Sequence, residues 1–96
     1  MLIYAVRSEF TSPAERDRFL AWLHDGHVAA VVAAGATSGE VTVLDDGTVE
    51  SRYVFASREA FAAYEAGPAA GLRADGASQF PEVKATRTVG ERTYLA

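Results

Sequence analysis

The stretch Val41-Thr42-Val43-Leu44-Asp45-Asp46-Gly47-Thr48-Val49-Glu50-Ser51-Arg52-Tyr53-Val54-Phe55-Ala56 decides the fold. Val41, Val43 and Leu44 mark a strand. Asp45-Asp46-Gly47-Thr48 then supplies turn chemistry, because glycine takes positive φ freely and Asp bonds its own backbone. Val49 to Ala56 forms the returning strand, with Val49, Ser51, Tyr53 and Phe55 alternating against Glu50, Arg52, Val54 and Ala56. A hairpin therefore stands in the middle of the chain, and each flank must supply the layer that covers it.

Toward the N-terminus, Ser12-Pro13-Ala14-Glu15 is a helix start: Ser12 caps, Pro13 suits the first helical position and Glu15 completes a capping box. Phe19, Leu20, Leu23, Val28, Val31 and Val32 continue at helical spacing, with a kink or break expected at Asp25-Gly26. Gly35 is placed to end the second piece as a left-handed cap. Ahead of this, Leu2 to Phe10 reads as a strand, with Leu2, Tyr4 and Val6 on one face and Ile3, Ala5 and Arg7 on the other.

Toward the C-terminus, Ser57 caps a second helix carrying Glu59, Phe61, Ala62 and Tyr64. Gly67-Pro68 breaks it, and Ala69 to Gln79 resumes it around Leu72. Pro81 closes that region. Val83 to Leu95 is a last strand, with Gly90 expected as a bulge or bend.

Strand, helix, hairpin, helix, strand is an α+β order. It predicts one ferredoxin-like β-α-β-β-α-β domain over residues 1–96, with both helical layers on one face of an antiparallel sheet. The other face is left bare, yet the strands carry apolar or aromatic residues on both sides. A sheet wetted on one side alternates more cleanly. The expected remedy is a second copy of the chain, a homodimer joined through its sheet faces.

Composition narrows the partners. Nine basic against thirteen acidic residues give a formal charge of −4, a field that repels nucleic acid. No cysteine is present, so disulfides, thiolate metal sites and cysteine nucleophiles are excluded. The longest apolar stretch, Val28 to Ala34, is far short of the ~20 residues that span a bilayer. Met1 to Ala5 lacks the basic and cleavable parts of a leader. The expectation is a cytoplasmic protein that engages neither membrane nor nucleic acid.

Ile3-Tyr4-Ala5-Val6, Trp22 through His27, Tyr53 before Ser57-Arg58-Glu59, then Tyr64, Pro68, Leu72-Arg73-Ala74-Asp75-Gly76 and Phe80 together resemble small bacterial proteins of the dimeric α+β barrel superfamily. That superfamily includes EthD-like proteins and antibiotic-biosynthesis monooxygenases. The resemblance spans nearly the whole chain. It implies two ferredoxin-like subunits facing each other through their sheets, each with a pocket between sheet and helices. It leaves the chemistry open, because oxygenases, isomerases and inactive binders share the fold.

His24, Asp25 and His27 form the most suggestive cluster, since histidines three apart share a helix face and Asp25 can orient an imidazole. His27 also matches a histidine common in EthD-like relatives and is the candidate base. A metal needs a third ligand that the pattern does not place, so no metal is expected. The bland reading of His27, a hydrogen bond between helix and sheet, stands beside the catalytic one.

Tyr4, Trp22, His24, Tyr53 and Tyr64 are the candidate ligand-binding residues, and Phe55 joins the aromatics that could line a pocket for a planar ligand, although aromatics at this spacing more often build plain core. Arg7, Arg52 and Arg87 are read as solvated strand ends or partners of Glu9, Glu50 and Glu91, and Arg73 as the charge partner of Asp75 at a helix end. Arg52-Tyr53-Val54-Phe55 echoes an RNA-recognition strand but lacks its glycine. No nucleophile elbow, phosphate loop or dinucleotide fingerprint occurs. Two readings stay open. One is a barrel that binds a small apolar or aromatic molecule and acts, without a cofactor, as a monooxygenase or isomerase. The other is a non-catalytic ligand-binding or interaction module.

Overall fold

Alternation in the strands and the breaks at Gly26 and Gly67 set the layout of the chain. The computed structural model describes residues 1–96. It runs β1 (Leu2–Glu9), α1 (Pro13–Trp22), α2 (Val28–Ala33), β2 (Ser38–Val43), β3 (Val49–Phe55), α3 (Arg58–Ala66), α4 (Ala69–Gln79) and β4 (Lys84–Glu91). The four strands form one sheet in the order β2-β3-β1-β4, with every neighbouring pair antiparallel. This is the expected ferredoxin-like α+β arrangement. No helix is long and apolar enough to cross a membrane.

Local chemistry explains the joints. Ser12 Oγ accepts from the Glu15 amide at 3.1 Å, capping α1. Glu15 reaches back to the Thr11 amide at 2.8 Å, one residue earlier than a capping box on Ser12 requires. Between α1 and α2 the helix widens into a single π turn, Leu23–His27, with Gly26 at φ 157°. A residue without Cβ takes that backbone readily, which is why the break falls there. In the hairpin, Gly47 at φ 86° lets the Leu44 amide donate to the Thr48 carbonyl at 2.8 Å.

Three strand expectations need correction. β2 begins at Ser38, three residues before Val41, because Thr37 and Ser38 already pair with Val54. β4 ends at Glu91, well before Leu95, and the closing residues Tyr94 and Leu95 are exposed. Gly90 makes no bulge, for it stands in register opposite Ile3.

The helix-facing side of the sheet holds the core in two clusters. Leu2, Tyr4, Tyr53 and Phe55 pack with Val31, Tyr64 and Ala69 in the larger one. Phe19, Leu23 and Val49 form the smaller, joined by Phe80 and Val83. Truncating a fully buried ring such as Phe55 to alanine should cost about 3–5 kcal/mol. On the bare side, Ile3 lies opposite Val54 and beside Ala5, but Arg7, Arg52 and Glu50 share that surface. The bare face is thus less apolar than the alternation of β1 and β3 suggests.

Candidate ligand cavity

A cavity of about 300 Å³ separates the two core clusters. Small side chains create it: Ser8, Ser51 and Ala85 on the sheet lie under Gly76 and Ala77 of α4. Strand register lays out the floor. Tyr4 stands between Tyr53 and Val89, Val6 between Ser51 and Arg87, and Ser8 between Val49 and Ala85. Tyr4 and Ser8 are four residues apart on one strand, so the floor is about 13 Å long at ~3.3 Å per residue. Tyr4, Tyr53 and Tyr64 wall one end; Phe19, Trp22 and Phe80 wall the other.

At the Trp22 end, the π turn folds His27 back onto the last residue of α1. The indole and imidazole stack with ring centroids 3.9 Å apart and planes 22° from parallel. Trp22 Nε1 donates to Asp75 Oδ2 at 3.3 Å, and Asp75 also accepts from Gln79 at 2.9 Å. His27 Nδ1 is buried with no hydrogen-bond partner. Burial pushes the His27 pKa below its ordinary value, against the pull of the Asp75 charge. At neutral pH the ring is therefore an uncharged imidazole with an unspent nitrogen.

At the other end, two guanidinium groups meet one phenol. Arg73 Nη2 and Arg87 Nε each donate to the Tyr4 hydroxyl oxygen at 3.1 Å. Glu65 holds Arg73 by two hydrogen bonds, because the Gly67-Pro68 break folds α4 back beside α3. These bonds raise the Arg73 pKa, so it stays charged. Burial pushes the Tyr53 phenol well up and the Tyr64 phenol up, and both stay protonated at neutral pH.

Tyr4, Trp22, His27, Tyr53 and Tyr64 thus come together around one cavity. His24 does not: it is exposed on the π turn and lines no part of the cavity. Phe55 is fully buried in the larger cluster, outside the cavity wall. No group of three or more His, Asp or Glu side chains gathers that could hold a metal ion.

Arg52 pairs with Glu50 at 3.0 Å as its sequence reading has it, but the other arginines depart from theirs, Arg7 taking Asp46 in place of Glu9. Arg73 pairs with Glu65 while Asp75 takes the indole. Glu91 is held by Arg58, and Arg87 turns to the cavity because its strand partner Val6 faces the helices. Ser8 and Ser51 were also missed. A signal existed, since each shares its alternation with Tyr4 or Tyr53 and puts a small polar group where bulk is expected.

No known family model matches the chain, and no curated protein matches it by sequence. Among solved structures it is similar to a dimeric ferredoxin-like protein from an uncultured marine organism, at 14% identity and TM-score 0.77 over 100% of this chain and 98% of that one. It is similar to a monooxygenase from the gene ActVA-Orf6 of Streptomyces coelicolor in complex with nanaomycin D, at 18% identity and TM-score 0.69 over 99% and 91%. A variant of SnoaB, a cofactor-independent oxygenase from Streptomyces nogalater, matches at 14% identity and TM-score 0.69 over 98% and 95%. At such identities the likeness speaks for the backbone. The chain has the ferredoxin-like α+β fold that these structures share.

Proposed function

We propose that the chain forms a homodimer and takes a small planar aromatic molecule into this cavity, where His27 removes a proton as the first step of a cofactor-free oxygenation. The observation that carries this reading is the neutral imidazole of His27, stacked on Trp22 with Nδ1 buried and unpartnered on the wall of an aromatic cavity. An apolar cavity of about 150 Å³ accepts benzene, so one twice that size suits two or three fused rings. Similarity to two oxygenases, one holding nanaomycin D, supports the same class of occupant.

The chemistry balances without a protein-bound redox group. An acidic ring-flanked CH₂ gives its proton to the imidazole, and the carbanion adds dioxygen. The resulting hydroperoxide loses water to leave a ketone, so one O₂ is consumed per water released. Tyr4, Trp22, Tyr53 and Tyr64 shape the walls and hold the rings by stacking. Oxygen uptake with anthrone as probe tests the reading. The expected result is turnover that falls at least about a hundredfold in His27→Ala, the usual scale of a general base. Unchanged uptake in that variant would sink His27 as the base, and a wild type that binds anthrone without oxygen uptake would be a binding protein.

The dimer is proposed through the bare sheet face. Ile3, Ala5 and Val54 form its apolar centre, and Arg52 with Glu50 supplies opposite charges that a twofold axis can set against each other. Light scattering should give twice the 10.2 kDa of one chain. Ile3→Arg should return it to one chain; a wild-type monomer would remove the proposal.

A further inference from the structure

Tyr4, Arg73 and Arg87 line both the cavity and a second, more open hollow that they share with Phe61, Glu65 and Val89. The three residues therefore stand where the cavity meets its mouth. Their charges do not cancel. Glu65 is ion-paired with Arg73, while Arg87 has no acidic partner. One uncompensated cation is thus held at the mouth of an apolar cavity, in a chain whose formal charge is −4.

Donors are also left over. Arg87 spends Nε on Tyr4, which leaves its terminal N–H groups free of any protein acceptor. Tyr4 receives two hydrogen bonds on oxygen, and its own proton is donated to no protein group. Arg73 Nε is buried with no partner. Arg87 is exposed, but the Tyr4 hydroxyl and Arg73 Nε are buried, and buried donors without acceptors are uncommon unless something else supplies the acceptor. A guanidinium fork braced by a phenol matches the planar, two-oxygen geometry of a carboxylate.

We propose that the occupant is an aromatic acid, its rings in the cavity and its carboxylate held at the mouth by Arg87, with Tyr4 and Arg73 as bracing donors. This rests on the reading of the cavity as an aromatic site and names the substrate class within it. Glu65 sets a limit on the same geometry: it already satisfies Arg73, so a ligand with one acidic group fits the charge and a diacid does not.

The test is calorimetric titration of the wild-type protein with 2-naphthoate and with 2-naphthamide, which share ring and shape but differ in charge. The expected result is naphthoate bound at least about tenfold more tightly, with the preference weakening as salt rises. In Arg87→Met, which keeps much of the stem and removes the charge, the two probes should bind within about twofold of each other. Arg87 is exposed on an edge strand, so the variant should fold, and circular dichroism checks that it does. Equal affinities in the wild type, or an undiminished preference in Arg87→Met, overturn the acid while leaving an aromatic site standing. If neither probe binds, the aromatic reading falls and the acid with it.

Discussion

Trp22 and His27 lie five residues apart in sequence yet stack face to face at 3.9 Å, because the widened π turn carrying Gly26 brings them to one side of the helix. In a regular helix two residues five apart point in different directions, at 100° per residue. The stack therefore depends on the break between α1 and α2. It fixes the imidazole plane and covers one ring face, while Nδ1 stays buried without a partner.

Trp22 is the only tryptophan, so its fluorescence reports on His27 alone among the stacked partners. An imidazolium quenches indole more strongly than neutral imidazole does. Since burial lowers the His27 pKa, quenching on acidification should have its midpoint below the ordinary value of 6.5. The sign for stability follows. Between the folded and unfolded pKa values the unfolded chain binds more protons, so this contribution is present above 6.5 and is lost as pH falls through the folded value. His27→Gln should remove the transition. A midpoint above 6.5 would contradict the burial of the ring.

Gly71 and Gly76 both sit inside α4, but only Gly76 faces an obstacle. A Cβ there would stand 3.1 Å from the Trp22 ring, whereas Gly71 has nothing within 4 Å. Gly71→Ala should stabilise by about 0.5–1 kcal/mol through helix propensity. Gly76→Ala should gain less, because the Trp22 ring must give by a few tenths of an ångström, and should weaken any ligand that stacks on it. Denaturant melts of the two variants measure the difference. Equal gains would show that the Trp22 contact costs nothing.

Gly39 tests packing on the opposite side of Tyr53. A Cβ there would come within 2.8 Å of Val28 Cγ1 and 3.0 Å of the Tyr53 ring. Tyr53 is almost fully buried and has little freedom to retreat. Gly39→Ala should therefore destabilise by about 1–3 kcal/mol, as overpacking does. A variant that melts at the wild-type midpoint would mean that β2 shifts along the sheet instead.

The difference between what was legible in the residues and what was not follows from the range of the interactions. Ser12, Gly26, Gly47, Ser57 and Gly67 act on their own neighbours, and each joint they announce is present. Alternation likewise told which side of β3 carries Val49, Ser51, Tyr53 and Phe55. The arginines depended on partners set by strand register and by the α3–α4 fold, with Arg73 and Tyr4 sixty-nine positions apart. Near neighbours in sequence gave Arg52 its partner Glu50, but three-dimensional pairing overrode the near-neighbour partners of Arg7, Arg73 and Arg87. His24 failed for the opposite reason. Spacing three apart promised a face shared with His27, and the π turn removed the regular helix on which that spacing relies.

Ser8 is the residue at which stability and binding should pull apart. It is 1% exposed, lines the cavity, and its hydroxyl has no hydrogen-bond partner. A buried polar group in that state costs about 1–3 kcal/mol of unreturned solvation. Replacing it with alanine removes the cost and creates little new space, so Ser8→Ala should stabilise the chain by about 1 kcal/mol. Ser8→Val should also fill part of the cavity with apolar volume. If the hydroxyl is retained to meet a polar atom of the occupant, both substitutions should weaken binding of that occupant while raising the melting midpoint. Thermal melts beside titrations with an aromatic probe read the two effects separately. A Ser8→Ala protein that melts lower than wild type would mean that the hydroxyl has a partner in the folded protein, and the site would lose its unspent polar group at that end.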